Sequence, residues 1–211
     1  GSVATHHVIR SIDGGATWQF ASSGLDSVVG EGSRIELAYA RSTPGMIYAA
    51  TGFNGGKVWR STDGGATWTQ RTTAAQSLGQ SYYYCGLWVD PTNSNLVVTS
   101  STTPYRSTDG GITFLPIANG YIMTTDPHSD VHAVVADPGY NGTSNRRVYF
   151  ATDGGLHATA DISAVAPGSG WVDLDATMRS TQFYGAAWHL TGDVVVGGTQ
   201  DNGTLRVTGS S

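Results

Sequence analysis

The chain has 211 residues, of which 29 are Gly and only 13% are charged, with 11 basic against 16 acidic side chains. This charge cannot build the basic face that a nucleic-acid backbone requires, and no apolar run approaches the ~20 residues of a membrane span. An apolar share of 39% is enough for a core, which excludes disorder, and a single cysteine, Cys85, excludes a disulfide framework.

An eight-residue pattern begins at residues 11, 61 and 107 and reads SIDGGATW, STDGGATW and STDGGITF. A repeat of this period predicts one four-stranded antiparallel blade per copy, and therefore an all-β fold of the β-propeller type. Asp-Gly-Gly predicts a tight hairpin, because Gly adopts positive φ and the Asp carboxylate accepts hydrogen bonds from its own turn. We therefore expect Asp13, Asp63 and Asp109 to be structural.

The chain is expected to contain four to five blades of one propeller domain. The predicted divisions are a partial blade over 1–22, full blades over 34–71, 82–118 and 130–175, and a second partial blade over 181–208. In the first full blade, strands are expected at 35–40, 46–51, 57–61 and 67–71. The hairpin of the third full blade has degenerated over 161–170, although Trp171 keeps the aromatic position.

The two partial blades together contain one strand too many for a single blade. Either the chain is a piece of a larger propeller, which we favour, or it is a five-bladed ring closed by its termini. An open propeller exposes apolar blade faces, so self-association through its open edges is expected.

The octapeptide resembles the Asp-box, or BNR repeat, of Asp-box β-propellers. The stretches 126–138, 148–155, 180–184 and 197–203 are similar to secreted propeller proteins related to sortilin-type domains and to xyloglucanase-type glycoside hydrolases. The resemblance covers about residues 34–208. It implies an extracellular protein that acts on, or binds, polysaccharide.

The propeller topology places the hairpins on one face together with the turns between first and second strands. The opposite face, called the upper face below, collects the remaining loops, where propeller ligands usually lie. The candidate catalytic carboxylates on this face are Asp130, Asp153 and Asp201. The candidate substrate-binding side chains combine rings with amides and imidazoles, which suits sugars: Tyr82, Tyr83, His128, His132, Gln182, Tyr184, Gln200 and Asn202.

The segment HSDVH at 128–132 also suggests a metal site. On an extended strand His128, Asp130 and His132 would point to the same side, and imidazole with carboxylate suits Zn²⁺. The alternative, which we favour, is that these side chains order the loop or bind a ligand by hydrogen bonds. Apart from the metal of this candidate site, no cofactor is expected.

Two functions follow from these residues. One is a secreted, glycoside hydrolase-like propeller, which needs two carboxyl groups on opposite sides of the scissile bond. The alternative is a non-catalytic propeller that binds glycans or proteins, for which an aromatic-lined pocket without such a pair is expected.

Overall fold

The computed structural model describes residues 7–25, 34–52, 56–72, 86–120, 125–175, 182–189, 192, 194–200 and 203–208. These residues form five antiparallel sheets, which confirms the predicted all-β fold of four-stranded blades. Among the described residues, no helix has the length and the apolar character that a membrane span requires.

Each sheet is built from strands that are consecutive along the chain, as in a propeller blade. The strands are listed by blade. Blade 1 holds β1 (Ile9–Arg10) and β2 (Gln19–Phe20). Blade 2 holds β3 (Ile35–Tyr39), β4 (Ile47–Thr51), β5 (Lys57–Ser61) and β6 (Thr69–Gln70). Blade 3 holds β7 (Gly86–Val89), β8 (Val97–Ser100), β9 (Pro104–Ser107) and β10 (Leu115–Pro116). Blade 4 holds β11 (Val131–Ala136), β12 (Val148–Thr152), β13 (Gly155–Thr159) and β14 (Trp171–Asp173). Blade 5 holds β15 (Phe183–His189), β16 (Val194–Thr199) and β17 (Thr204–Thr208).

The fourth strands are shorter than predicted, because their first residues belong to the hairpins. In blade 2 the expected strand 67–71 is reduced to Thr69–Gln70. The amide and the hydroxyl of Thr67 both donate to the Asp63 carboxylate, at 2.9 and 2.6 Å. Thr67 is therefore held in the turn, and its bridge partner is Ser23, which follows β2, rather than a residue of β5.

Three hairpins share one hydrogen-bond pattern, and we call residues 11–18, 61–68 and 107–114 hairpins 1, 2 and 3. In hairpin 1 the Ser11 hydroxyl donates to Asp13 and accepts from the Gly15 amide, each at 2.8 Å. The same contacts recur around Asp63 and Asp109. The three carboxylates thus organise their own turns.

The hairpins lie on the same face as the turns between first and second strands. The Gly64 amide of hairpin 2 donates to Gly45 O at 2.8 Å, and the Gly110 amide of hairpin 3 donates to Asn95 O at 2.9 Å. Gly45 lies between β3 and β4, and Asn95 lies between β7 and β8. This face is called the lower face, and it is opposite to the upper face of the sequence prediction.

The core lies between the blades. Strand β7 contacts both β3 and β11, so the first strands of three successive blades lie side by side around the axis. One apolar cluster joins blades 1 and 2, another joins blades 2 and 3, and the largest joins blades 3 and 4. Phe150 and Trp171 of blade 4 meet edge to face in that largest cluster, with ring centroids 4.9 Å apart.

Blades 1 and 5 remain separate sheets. Strand β17 pairs with β16, and β1 pairs with β2 alone among the described strands. The third-strand position beside β16 is therefore filled by β17 rather than by β1. The five-bladed closure, in which the termini share one sheet, is not formed by the described residues.

Candidate functional site

The upper-face loop before β11 is fixed by backbone contacts to blade 3. The Asp130 amide donates to Thr102 O at 3.3 Å, and the Val131 amide donates to Ser101 O at 2.9 Å. Asp130 adopts a left-handed conformation with φ of 65°, which an L residue rarely takes. The chain is therefore not extended at Asp130, and β11 begins only at the next residue.

This turn removes the premise of the metal-site alternative at residues 128–132. Side chains two residues apart share one side only while the chain is extended. His128 instead places its Nδ1 3.0 Å from Ser129 O, and His132 places its Nε2 2.6 Å from Asp153 Oδ1. Within the described residues, no group of three His, Cys, Asp or Glu side chains could hold a metal ion. The alternative, in which these side chains order the loop, describes the observed contacts.

The two described catalytic candidates are differently placed, and both are largely enclosed. Asp130 is only 5% exposed. The Asp153 side chain is 10% exposed and pairs with His132, whose side chain is 47% exposed. The Asp153 carboxylate is thus largely buried beside the more exposed imidazole of His132. The third candidate, Asp201, lies outside the described residues.

The turn that carries Asp153 depends on two glycines. A side-chain carbon on Gly154 would stand 2.4 Å from His128 Cβ, so only a bare backbone fits there. Gly155 has a φ of +118°, and a side-chain carbon there would meet the Asp175 carboxylate. Asp175 Oδ2 accepts from the Leu156 amide at 2.7 Å. The Asp153 turn is therefore wedged between His128 and Asp175.

His157 lies below this turn and was not singled out by the sequence. Its pKa is lowered because burial disfavours the imidazolium form, while the charges of Asp173 and Asp175 act in the opposite direction. Its Nδ1 is buried and has no hydrogen-bond partner among the described residues. The His157 side chain is therefore part of the interior of blade 4 and not of the upper surface.

The predicted binding residues of the upper face are only partly brought together. The Gln200 amide donates to Gln182 O at 2.9 Å, so these two residues are neighbours across blade 5. Tyr184 is 74% exposed on the same blade. Tyr82, Tyr83 and Asn202 lie outside the described residues, so their contribution stays a prediction.

A groove in the described part of the chain lies elsewhere, along the lower halves of β3, β7 and β11. Its volume is about 560 Å³. Three aromatic side chains line it with one guanidinium and one carboxylate: Tyr39, Trp88, Tyr140, Arg41 and Asp137. These residues lie near the ends of three first strands that are distant in sequence, and for this reason the sequence did not predict the groove.

The groove residues are held in place by their neighbours. The rings of Trp88 and Tyr140 meet edge to face with centroids 5.9 Å apart. The Tyr140 hydroxyl donates to Asp90, and burial together with this carboxylate raises the pKa of Tyr140. Tyr39, in contrast, is 70% exposed and stands at the side of the groove. The groove thus combines one exposed ring with an aromatic pair whose rings are in contact.

Asp137 is the carboxylate of the groove. It accepts from the Gly139 amide at 2.8 Å, from Asn145 Nδ2 at 2.9 Å and from the Tyr149 hydroxyl at 3.0 Å. These donors, the Gly139 amide first, lower the pKa of Asp137 below its ordinary value. Asp137 is therefore an anion at neutral pH and offers a hydrogen-bond acceptor but no proton.

Comparisons with known proteins identify no family. No family model and no curated protein matches the chain. Among solved structures, the chain is similar to the GH74 xyloglucanase from Xanthomonas campestris, with 19% identity and a TM-score of 0.48 over 81% of this chain and 27% of that one. It is also similar to YCF48 bound to D1 peptide, with 14% identity and a TM-score of 0.39 over 100% of this chain and 88% of that one. YCF48 from Cyanidioschyzon merolae matches at 17% identity and a TM-score of 0.41, over 84% and 54% of the two chains.

Proposed function

We propose that the chain is a non-catalytic propeller module that binds polysaccharide in the lower-face groove. The observation that carries this proposal is the lining of the groove, in which Tyr39, Trp88 and Tyr140 meet Arg41 and Asp137. Its volume of about 560 Å³ lies in the range of small-molecule sites. Aromatic rings stack on the apolar faces of sugars, while a guanidinium and a carboxylate bind hydroxyl groups.

Binding is favoured over hydrolysis by the state of the carboxylates. Glycoside hydrolysis needs one carboxyl group that donates a proton and a second one across the scissile bond. In the groove Asp137 is held as an anion by three donors, so it has no proton to give. On the upper face Asp130 is buried and Asp153 is engaged by His132.

The same proposal places the protein outside the cell, where polysaccharides are abundant. A single Lys among 211 residues and the richness in Gly and Tyr support a secreted protein by composition. The resemblance to secreted Asp-box propellers supports the same location.

The test is a comparison of two equally exposed tyrosines. Affinity electrophoresis against a panel of neutral and acidic plant and microbial polysaccharides identifies the ligand class. Tyr39→Ala is expected to weaken binding by about tenfold or more, as for an aromatic anchor. Tyr184→Ala, on the upper face of blade 5, is the matched control and is expected to leave binding unchanged.

Three results would contradict the proposal. If no polysaccharide retards the protein, the ligand class is wrong. If Tyr184→Ala abolishes binding and Tyr39→Ala does not, the upper face is the site. If the wild type releases reducing ends and Asp153→Asn does not, the chain is a hydrolase.

A further inference from the structure

The carboxylate that lines the groove is largely occupied by donors of the protein itself. Asp137 Oδ1 accepts hydrogen bonds from the Gly139 amide at 2.8 Å and from Asn145 Nδ2 at 2.9 Å. Asp137 Oδ2 accepts one from the Tyr149 hydroxyl at 3.0 Å. Each carboxylate oxygen has about two acceptor positions, so Asp137 keeps roughly one of them for a ligand.

A second carboxylate holds the aromatic pair and is engaged on both oxygens. Asp90 is buried, and its Oδ1 accepts from the amide and the hydroxyl of Thr92, each at 2.7 Å. The same oxygen accepts from the Asn93 amide at 3.1 Å, and the Tyr140 hydroxyl donates to Asp90 Oδ2. Asp90 therefore fixes the position of Tyr140 and is not offered to a ligand.

Arg41 is in the opposite situation. It is exposed in the turn between β3 and β4, it lines the groove, and it makes no hydrogen bond or ion pair with the described residues. Arg34, at the other end of β3, is also exposed, but its Nη2 donates to Glu36 Oε2 at 3.2 Å. The guanidinium at the lower end of this strand is therefore available to a ligand, whereas the one at the upper end is paired.

The available guanidinium lies beside the exposed ring of the groove. Arg41 follows Tyr39 by two residues, and both line the groove. Two residues span roughly 7 Å of extended chain, which an arginine side chain can bridge. A sugar ring that stacks on Tyr39 therefore brings a group on its rim within reach of Arg41. The guanidinium makes its strongest hydrogen bonds, often two in parallel, with carboxylates and other oxyanions.

We infer that the groove selects acidic polysaccharides, with the carboxylate or sulfate group of one sugar bound by Arg41 beside the Tyr39 ring. This inference rests on the proposed function and narrows its ligand class. A neutral polysaccharide offers hydroxyl groups, which bind a guanidinium more weakly than an anion does. The chain has a formal net charge of -5, so the protein as a whole does not attract a polyanion, and the preference depends on the local contact.

Matched ligand pairs test this inference by isothermal titration calorimetry. Polygalacturonate is compared with its methyl ester, and dextran sulfate with dextran, so each pair shares a backbone and differs in charge. The two pairs distinguish a carboxylate ligand from a sulfate ligand. The wild type is expected to bind the acidic member of at least one pair about tenfold or more tightly than the neutral member. Arg41→Gln is expected to bring the two affinities to within about threefold, because the charge-assisted hydrogen bonds are lost.

Arg34→Gln is the matched control, because it removes the same charge from the other end of β3 and is expected to keep the preference. The inference is overturned, while the proposed function stands, if the wild type binds the neutral members as tightly as the acidic ones. It is also overturned if Arg41→Gln keeps the preference, or if Arg34→Gln loses it equally. If no polysaccharide binds at all, the proposed function itself fails. Urea unfolding shows separately that both variants are folded, because both substitutions lie on exposed side chains.

Discussion

Hairpins 1 and 2 have the same sequence except for Ile12 and Thr62 at the second position, yet their tryptophans are in opposite situations. The five hydrogen bonds that both hairpins make agree within 0.1 Å, including 2.6 Å from the threonine hydroxyl to the aspartate in both. Trp68 is 5% exposed and bonds to the preceding blade, whereas Trp18 is 58% exposed and bonds to its own hairpin. The octapeptide therefore encodes the turn, and the adjoining blade decides whether its tryptophan contributes to the core.

The largest difference in the free energy of unfolding is expected between substitutions of the two tryptophans. Trp68→Ala should lower the free energy of unfolding by about 3–5 kcal/mol, because it leaves a cavity between blades 1 and 2. Trp18→Ala should change it by less than about 0.5 kcal/mol, because its ring is largely in solvent. Urea unfolding of both variants, followed by circular dichroism, gives the two values. Equal losses would show that the two hairpins have the same surroundings.

A smaller effect is expected for the arginines that point from one blade to the next. Arg106→Ala should lower the free energy of unfolding by about 2 kcal/mol, since the carbonyls of Ile162 and Val165 lose their donor at the interface. Arg206→Ala should leave it within about 0.5 kcal/mol, because the Arg206 side chain is exposed. The same unfolding experiment serves for both. A loss for Arg206→Ala equal to that for Arg106→Ala would contradict the exposed position of Arg206.

The smallest difference in stability is expected between substitutions of the aspartates, because the hydrogen bonds of these side chains lie within the hairpins. Bonds from Thr17 lower the pKa of Asp13 from 3.8 to about 2, and bonds from Thr67 lower the pKa of Asp63. For Asp109, burial raises the pKa, but bonds from Thr113 outweigh it and bring the pKa to about 2. Protons thus bind these aspartates more tightly in the unfolded chain than in the folded one. The stabilisation that the ionised carboxylates give the fold is therefore complete above about pH 4 and is lost as the pH falls towards 2.

Thermal unfolding between pH 5 and pH 2, with Asp13→Asn and Asp63→Asn, measures this dependence. Each substitution should remove a similar part of the fall in melting temperature between pH 5 and pH 2, whether or not the hairpin is covered by a neighbouring blade. A wild-type melting temperature that is constant over this range would contradict the role of the carboxylates.

The sequence predicted what is encoded locally. The period of the octapeptide placed the strands to within two residues, because Asp-Gly-Gly fixes the turn and the flanking strands follow from it. The less favoured alternative, in which His128, Asp130 and His132 share one side of a strand, does not fit the described backbone, because one residue with positive φ interrupts the strand and nothing in the letters HSDVH marks it. The groove beside Tyr39 was missed, because it is formed by three strands that are distant in sequence.

The exchange rates of the indole N–H groups test the central account most directly. The protein is labelled with ¹⁵N-tryptophan, so that the exchange of each indole N–H group is followed separately. The account predicts that Trp68 and Trp171 exchange their indole protons with water far more slowly than Trp18, because their N–H groups are buried against the preceding blade. Rapid exchange at Trp68 and Trp171, or equal rates at all three, would contradict blades joined through these tryptophans.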